Sequence, residues 1–161
     1  MAFDSFIKIG DIKGESPDAK HKDQIQVMSF SWGVSNQGAS SVGGGAGAGR
    51  AELHDFHFVK QVDRASPVLF QQCCTGNHIK ETTFVVRKAG GAQKDYFTVK
   101  LGDVIITSVR PGGSAQGGDL PMEEVTLNFT TCSIDYCMQK ADGSLDAPVH
   151  GGYDSKIQKV L

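Results

Sequence analysis

Apolar and polar residues alternate with a period of two along most of the chain, the pattern of half-buried strands. The N-terminus, Met-Ala-Phe-Asp-Ser-Phe-Ile-Lys-Ile-Gly, reads as a strand, with Phe6 opposite Ile7 and Ile9 following Lys8. In 25–32, Met28, Phe30 and Trp32 fall on one face and Ile25, Val27, Ser29 and Ser31 on the other. In 53–60, His54, Phe56 and Phe58 alternate with Leu53, Asp55, His57 and Val59. Residues 79–88 set Phe84 and Val86 against Thr83, Val85 and Arg87. Residues 94–110 read as two strands around Gly102-Asp103, a pair suited to a tight turn or a bulge. The stretch 122–138 is the longest strand expected, but its apolar residues change parity, from Val125, Leu127 and Phe129 to Ile134 and Tyr136. A strand cannot change faces without an extra residue or a sharp twist, so a β-bulge is predicted near Thr130-Thr131.

One helix is signalled, with Ser66 as N-cap, Pro67 at the first helical position and Gly76 as the left-handed stop. It would place Val68, Leu69, Gln72 and Cys73 on one side. The fold class expected is mainly β: two packed β-sheets forming a small barrel, with one short α-helix at the side. A length of 161 residues suits one domain over 1–161, able to bury roughly 70% of the surface of its unfolded chain.

Composition narrows the function. Sixteen basic and 18 acidic residues give a formal net charge of −2 and form no basic stripe, which argues against nucleic acid and anionic membrane as partners. No run approaches the roughly 20 apolar residues of a membrane-spanning helix. The N-terminus lacks a basic n-region and an apolar h-region, so synthesis and folding in the cytoplasm are expected, and export by a route without a cleaved signal stays open. Glycine is enriched, 20 residues in all, chiefly in 33–49, 111–118 and 151–152.

The candidate chemistry is sparse. Gly44 and Gly49 have phosphate-loop spacing, but Arg50-Ala51 follow where Lys and Ser or Thr are needed, and a strand pattern comes next. His54 and His57, three apart on a strand, are expected on opposite faces and so unable to share a metal ion. Cys73, Cys74, Cys132 and Cys137 suit buried free thiols better than a disulfide framework or a zinc site. Glu123-Glu124 reads as a solvated turn. No cofactor, metal or catalytic residue is expected, and the protein is read as a non-enzyme. What remains is surface: Ser29 and Ser31, Thr82, Thr98 and Lys100, and Thr126, Asn128 and Thr130 form polar second faces suited to ordinary solvent, an aqueous channel or a polar subunit contact.

Several segments together resemble a known family. They are Phe6-Ile7-Lys8-Ile9-Gly10-Asp11-Ile12-Lys13-Gly14-Glu15-Ser16, then Ser31-Trp32-Gly33 ahead of the Gly-rich loop, and Arg87-Lys88-Ala89-Gly90-Gly91. Val125-Thr126-Leu127-Asn128-Phe129 follows, leading to Tyr136 and Gln139-Lys140-Ala141-Asp142-Gly143. In this order and over essentially the whole chain, they are similar to the haemolysin-coregulated protein family, Hcp, the tube protein of bacterial type VI secretion systems. The resemblance implies a homohexameric ring with a central lumen, stacked head-to-tail into an inner tube that a contracting sheath expels. Partners would be further copies of the chain, sheath and spike proteins, and effector proteins held and protected in the lumen. It also implies secretion to the extracellular space or a target cell, and a core domain without catalytic activity. Because the chain stops at Leu161, no C-terminal toxin extension is expected. Ser31 matches a lumen-facing position, with Ser29 on the same face and Trp32 directed into the core. The Gly-rich loop at about 35–50, with Ser35, Ser41, Gly44, Gly47, Gly49 and Arg50, matches the family's assembly loop, which contacts adjacent subunits and rings. A ring size of six comes from the resemblance alone. The alternative is a small-ligand-binding β-barrel, which needs an apolar cavity within the monomer.

Overall fold

A computed structural model describes residues 2–38, 48–117 and 120–161. The described residues form ten strands: β1 (Phe3–Ile9), β2 (Ile25–Val27), β3 (Ser29–Gly38), β4 (Ala48–Gln61), β5 (Ile79–Lys88), β6 (Asp95–Gly112), β7 (Met122–Asn128), β8 (Thr131–Tyr136), β9 (Val149–Asp154) and β10 (Lys159–Val160), the last two in a stretch where the sequence pattern predicts no strand. One helix, α1 (Ser66–Thr75), joins β4 to β5. All described pairings are antiparallel. Sheet A runs β10-β9-β8-β6-β5-β1-β2, and sheet B runs β3-β4-β7-β6. The fold is the expected one, mainly β with two packed sheets, although continuous strand pairing does not close the barrel.

Three places where the chain passes between the sheets shape the molecule. At Met28 the expected single strand divides. Ile25 and Val27 face the core from sheet A, whereas Phe30 and Trp32 face it from sheet B. Met28 itself is exposed, so it does not share a buried face with Phe30 and Trp32. Residues 94–110, expected as two strands, belong to one strand. Its first part pairs with β5 and β8 and its last part with β7, with a bend at Asp103, where φ is 52°. The β-bulge predicted near Thr130-Thr131 is instead a corner that divides the expected long strand over 122–138 into β7 and β8, where Thr130 N donates to Gly102 O. Each corner turns one face of the chain from one sheet to the other while keeping apolar residues inside.

The core fills the space between the sheets with Ile7, Ile9, Phe56, Phe58, Phe84, Val99, Leu101, Ile106, Val125 and Leu127, all buried. Phe30 lies 4.5 Å from Phe84 between ring centroids, and Phe56 lies 5.2 Å from Phe84, in tilted geometries that aromatic quadrupoles favour. Thr82 belongs to this inner side too. It is fully buried, not on a polar second face, because it shares the parity and so the inner face of Phe84 and Val86.

Helix α1 covers one end of the sandwich through Leu69, which is buried. Its first residue is Ser66, and Ala65 takes the N-cap position with no side-chain cap. The Ser66 hydroxyl is instead drawn to Lys60 Nζ (3.0 Å), Asp63 N (3.0 Å) and the Glu123 carboxylate. Val68 is exposed, so the helix face that packs is narrower than expected. Gly76, at φ 65°, ends the helix in the left-handed conformation that glycine adopts without a Cβ penalty.

Glu123 is 1% exposed and sits opposite Lys60 in the β4–β7 register, so the expected solvated turn is a buried ion pair at 2.9 Å. Lys60 Nζ also reaches Asp63 Oδ1 at 2.9 Å and the Gln61 carbonyl at 3.0 Å, which saturates its donors. The outer face of sheet A is covered in part by the segment from Gly14 to Gln24. There His21 stacks on Phe6 at 4.6 Å and Asp18 pairs with the buried Arg87.

Candidate functional site

Sheet B has one face in the core and one face open. Register fixes which residues share the open face, because residues opposite one another in an antiparallel pair point the same way. One row runs Ser31, His57, Thr126, Ser108 across β3, β4, β7 and β6. The next row runs Ser29, Val59, Glu124, Arg110. Ser29 and Ser31 are both exposed, and Phe30 and Trp32, which alternate with them, turn inward, Trp32 onto Phe56 (5.9 Å) and Phe129 (6.0 Å). The expected direction of Trp32 thus follows from its register. Within this face His57 Nδ1 lies 3.2 Å from Thr126 Oγ1, and Asn128 Nδ2 donates to Asp55 Oδ1 at 2.9 Å.

A β-bulge changes the reading of the histidines. From the pair Ser31–His57 to the pair Gly33–His54, β3 advances two residues and β4 three. The extra residue in β4 reverses parity, so Leu53 turns inward and His54 joins His57 on the open face. His54 Nε2 then lies 3.0 Å from Ser35 Oγ, another open-face residue. The expectation that the two histidines face opposite ways is therefore corrected. The sequence carried a signal for this: apolar Leu53 and Phe56 are three apart, the same parity break that located the corner near Thr130. Among the described residues no group of three or more His, Cys, Asp or Glu side chains converges as a metal site.

The expected loop at 35–50 is partly regular. Residues 35–38 and 48–50 extend the β3–β4 ladder as a two-stranded ribbon, so Ser35, Gly49 and Arg50 lie in strands. Ser41, Gly44 and Gly47 lie outside the described residues. A second bulge sets Gly49 and Arg50 against Gln37. A Cβ on Gly49 would stand 2.1 Å from the Gln37 carbonyl oxygen, so this close backbone approach requires glycine. Asn36 Nδ2 donates to Gly49 O at 2.6 Å across the ribbon. Arg50-Ala51 lie in β4 and not at a helix N-terminus, which removes the context a phosphate loop needs.

The other residues weighed in the sequence are scattered. Cys132 is buried, and desolvation raises its thiol above the ordinary range. Cys74 is exposed and Cys73 and Cys137 half-buried, so burial of all four thiols is also corrected. His78 pairs with Asp103 at 2.7 Å, and the imidazole and the Thr130 hydroxyl together hold that carboxyl below the usual carboxylate range. No helix among the described residues is long and apolar enough to cross a membrane.

Comparison with known proteins gives the same family by three routes. A protein-family model described as type VI secretion system effector, Hcp, matches residues 6–136. Protein hcp1 of Pseudomonas aeruginosa strain PAO1 is 45% identical over 156 residues, which is 96% of each chain. The crystal structure of Hcp1 from Salmonella typhimurium is 35% identical, with a TM-score of 0.82 over 100% of both chains. That of a type VI secretion system effector from Yersinia pestis is 40% identical, with a TM-score of 0.76 over 94% of this chain and 99% of that one. A further structure of a type six secretion system protein superposes with a TM-score of 0.94 at 26% identity, covering 99% and 100% of the two chains. A whole-chain match in sequence and fold, joined to the two-sheet architecture already described, places this chain in the Hcp family of type VI secretion proteins.

Proposed function

We propose that the protein is a structural, non-enzymatic component of a type VI secretion tube, acting as one domain over 1–161. Copies assemble into homohexameric rings that stack into the inner tube, and the open face of sheet B lines the lumen where effectors are held. The observation that carries this reading is the polar open face itself, unbroken from Ser31 to Ser108 across four strands. A polar, hydrated wall suits folded passengers, which keep their own apolar residues inside.

Two further features support assembly. Sheet B ends at β3 on one side and at the C-terminal part of β6 on the other, so both edges lack a strand partner among the described residues. Such edges favour pairing with another copy, and two different edges in contact give a heterologous interface that closes by rotation. The ribbon formed by β3 and β4 reaches beyond the core with Val34 60% exposed, a residue that a neighbouring copy can cover. Ser35, Gly49 and Arg50 lie on that ribbon and are proposed assembly residues together with Ser41, Gly44 and Gly47. Sheath and spike proteins are the remaining partners, and the expelled tube reaches the extracellular space or a target cell.

Ser31 and Ser29 are the proposed effector contacts. Substituting Ser31→Gln adds bulk to the lumen wall while leaving the core side of β3 untouched. The expected result is a lower cellular level of lumen-borne effector with ring mass unchanged by light scattering. Unchanged effector with intact rings overturns Ser31 as a contact, and a protomer mass at every concentration for the unsubstituted protein overturns the ring.

A further inference from the structure

The bulge in β4 brings two imidazoles onto one open face, and the charges around them are closely balanced. Facing His54 and His57 are Glu52 and Asp55 on β4 itself, Glu124 on β7 and Arg110 on β6. Arg50 joins them through a shallow depression lined by Ser35, Gln37, Arg50, Ala51 and Glu52. Strand β3 contributes only Ser29, Ser31, Gly33, Ser35 and Gln37 to this side, none of them titratable near neutral pH. Three carboxylates against two guanidiniums leave the face at a formal −1 when both histidines are neutral, and at +1 when both are protonated. Imidazole is the side chain whose charge ordinarily changes between pH 5 and 8. Both rings have solvent access, and among the described residues their side-chain partners are hydroxyls, Ser35 for His54 and Thr126 for His57, which can accept a hydrogen bond from a ring or donate one to it.

We infer that His54 and His57 set the charge selectivity of the sheet B open face, which takes cationic polypeptide at neutral pH and anionic polypeptide once both imidazoles are protonated. This rests on the reading of that face as the passenger-binding wall. Repetition around a ring multiplies the change, because each protomer contributes the same reversal, and a concave wall of one sign focuses its field on whatever lies inside. The two histidines thereby act as specificity-determining residues, choosing among passengers by surface charge and changing that choice with the pH of the compartment the tube enters.

The test uses the full chain and two fluorescent probes, a short lysine–serine peptide and its glutamate–serine counterpart. Their binding is followed by anisotropy at low salt, where surface charge is least screened, at about pH 7.5 and about pH 5.5. The lysine peptide is expected to bind more tightly at the higher pH and the glutamate peptide at the lower, each preference changing by roughly fivefold, the scale of two exposed charge contacts. The double variant His54→Gln/His57→Gln keeps His21, His78 and His150, so it isolates the pair on sheet B. It is expected to lose the reversal while retaining the unsubstituted circular dichroism spectrum. A reversal of equal size in the double variant, or no reversal in the unsubstituted protein, overturns the inference. Light scattering on the same samples separates the two readings. A protomer that shows the histidine-dependent reversal sinks the ring alone, and a ring without the reversal sinks the inference alone.

Discussion

Lys60 and Glu123 show how a polar pair can be part of a β core. They face each other across β4 and β7 on the inner side of sheet B, at 0% and 1% exposure, and the Ser66 hydroxyl and Asp63 carboxylate complete the network. Burying two charges costs several kcal/mol per ion, which their attraction offsets only while both partners remain. Glu123→Ala should therefore lower unfolding free energy by about 2–4 kcal/mol, toward the lower part of the range for a broken buried pair, because the ammonium loses one carboxylate but keeps Asp63. The double change Lys60→Met/Glu123→Leu should recover most of that loss, since apolar residues of similar size often replace buried pairs without cost. Urea denaturation of the three proteins checks both statements, and a double variant as unstable as Glu123→Ala contradicts the account. Nothing in the local sequence announced this pair: Glu123-Glu124 looks like a solvated turn until the β4 register sets Lys60 opposite it. His54 differs, because the parity break between Leu53 and Phe56 was present in the sequence and only its consequence for the histidine was missed.

The elements from β1 to β8 follow largely from period-two patterning, and the departures within them share one cause; β9 and β10, polar and glycine-bearing strands at the edge of sheet A, carry no such pattern. Strands that cross between sheets keep hydrogen bonding while they change partners, so a parity break or a Gly-Asp pair marks a corner as often as an end. Gly102-Asp103 resembles a turn in sequence, yet β6 continues because Asp103 accepts the positive φ and Gly102 O takes the Thr130 amide. The segment from Gly14 to Gln24 has no strand pattern, and its hold on sheet A is electrostatic as well as apolar. Hydrogen bonding from Arg87 first, opposed by burial and aided by the backbone amides of Lys20 and His21, lowers the Asp18 carboxyl from 3.8 to about 2. Because the folded value lies below the unfolded one, the contribution is complete above the unfolded value and is lost as pH falls from about 4 through about 2. Asp18→Asn should consequently lower the melting temperature at neutral pH and flatten its fall across that acid range. Thermal melts at stepped pH test this, and a variant curve parallel to the original through the same window contradicts it.

At the scale of the whole molecule, the two sheets have unequal surroundings. Part of the outer side of sheet A is roofed by the 14–24 segment, with His21 on Phe6 and Arg87 4.9 Å above the same ring. Among the described residues no segment roofs sheet B in this way, and neither of its edges has a further strand partner. Val34 makes the point concrete. It lies on the core-facing side of β3 opposite Leu53, but the ribbon has passed the end of the core by then, and the residue is 60% exposed. A lone exposed valine needs no explanation, yet one on the inward side of an extended edge strand supplies an apolar patch aimed at a second copy. Val34→Asp places a charge there without touching the buried cluster. Folding should be unaffected, with unfolding free energy within about 0.5 kcal/mol of the original, as for surface changes generally. Assembly should fail, because a carboxylate brought into an interface without a partner carries its full desolvation penalty. Light scattering should then give a mass near the 17.2 kDa of one chain under conditions where the unsubstituted protein forms the proposed rings. Rings of undiminished stability in the variant would place the subunit contact elsewhere, on the opposite edge of sheet B or on the ends of sheet A, and would free the β3–β4 ribbon for contacts between stacked rings.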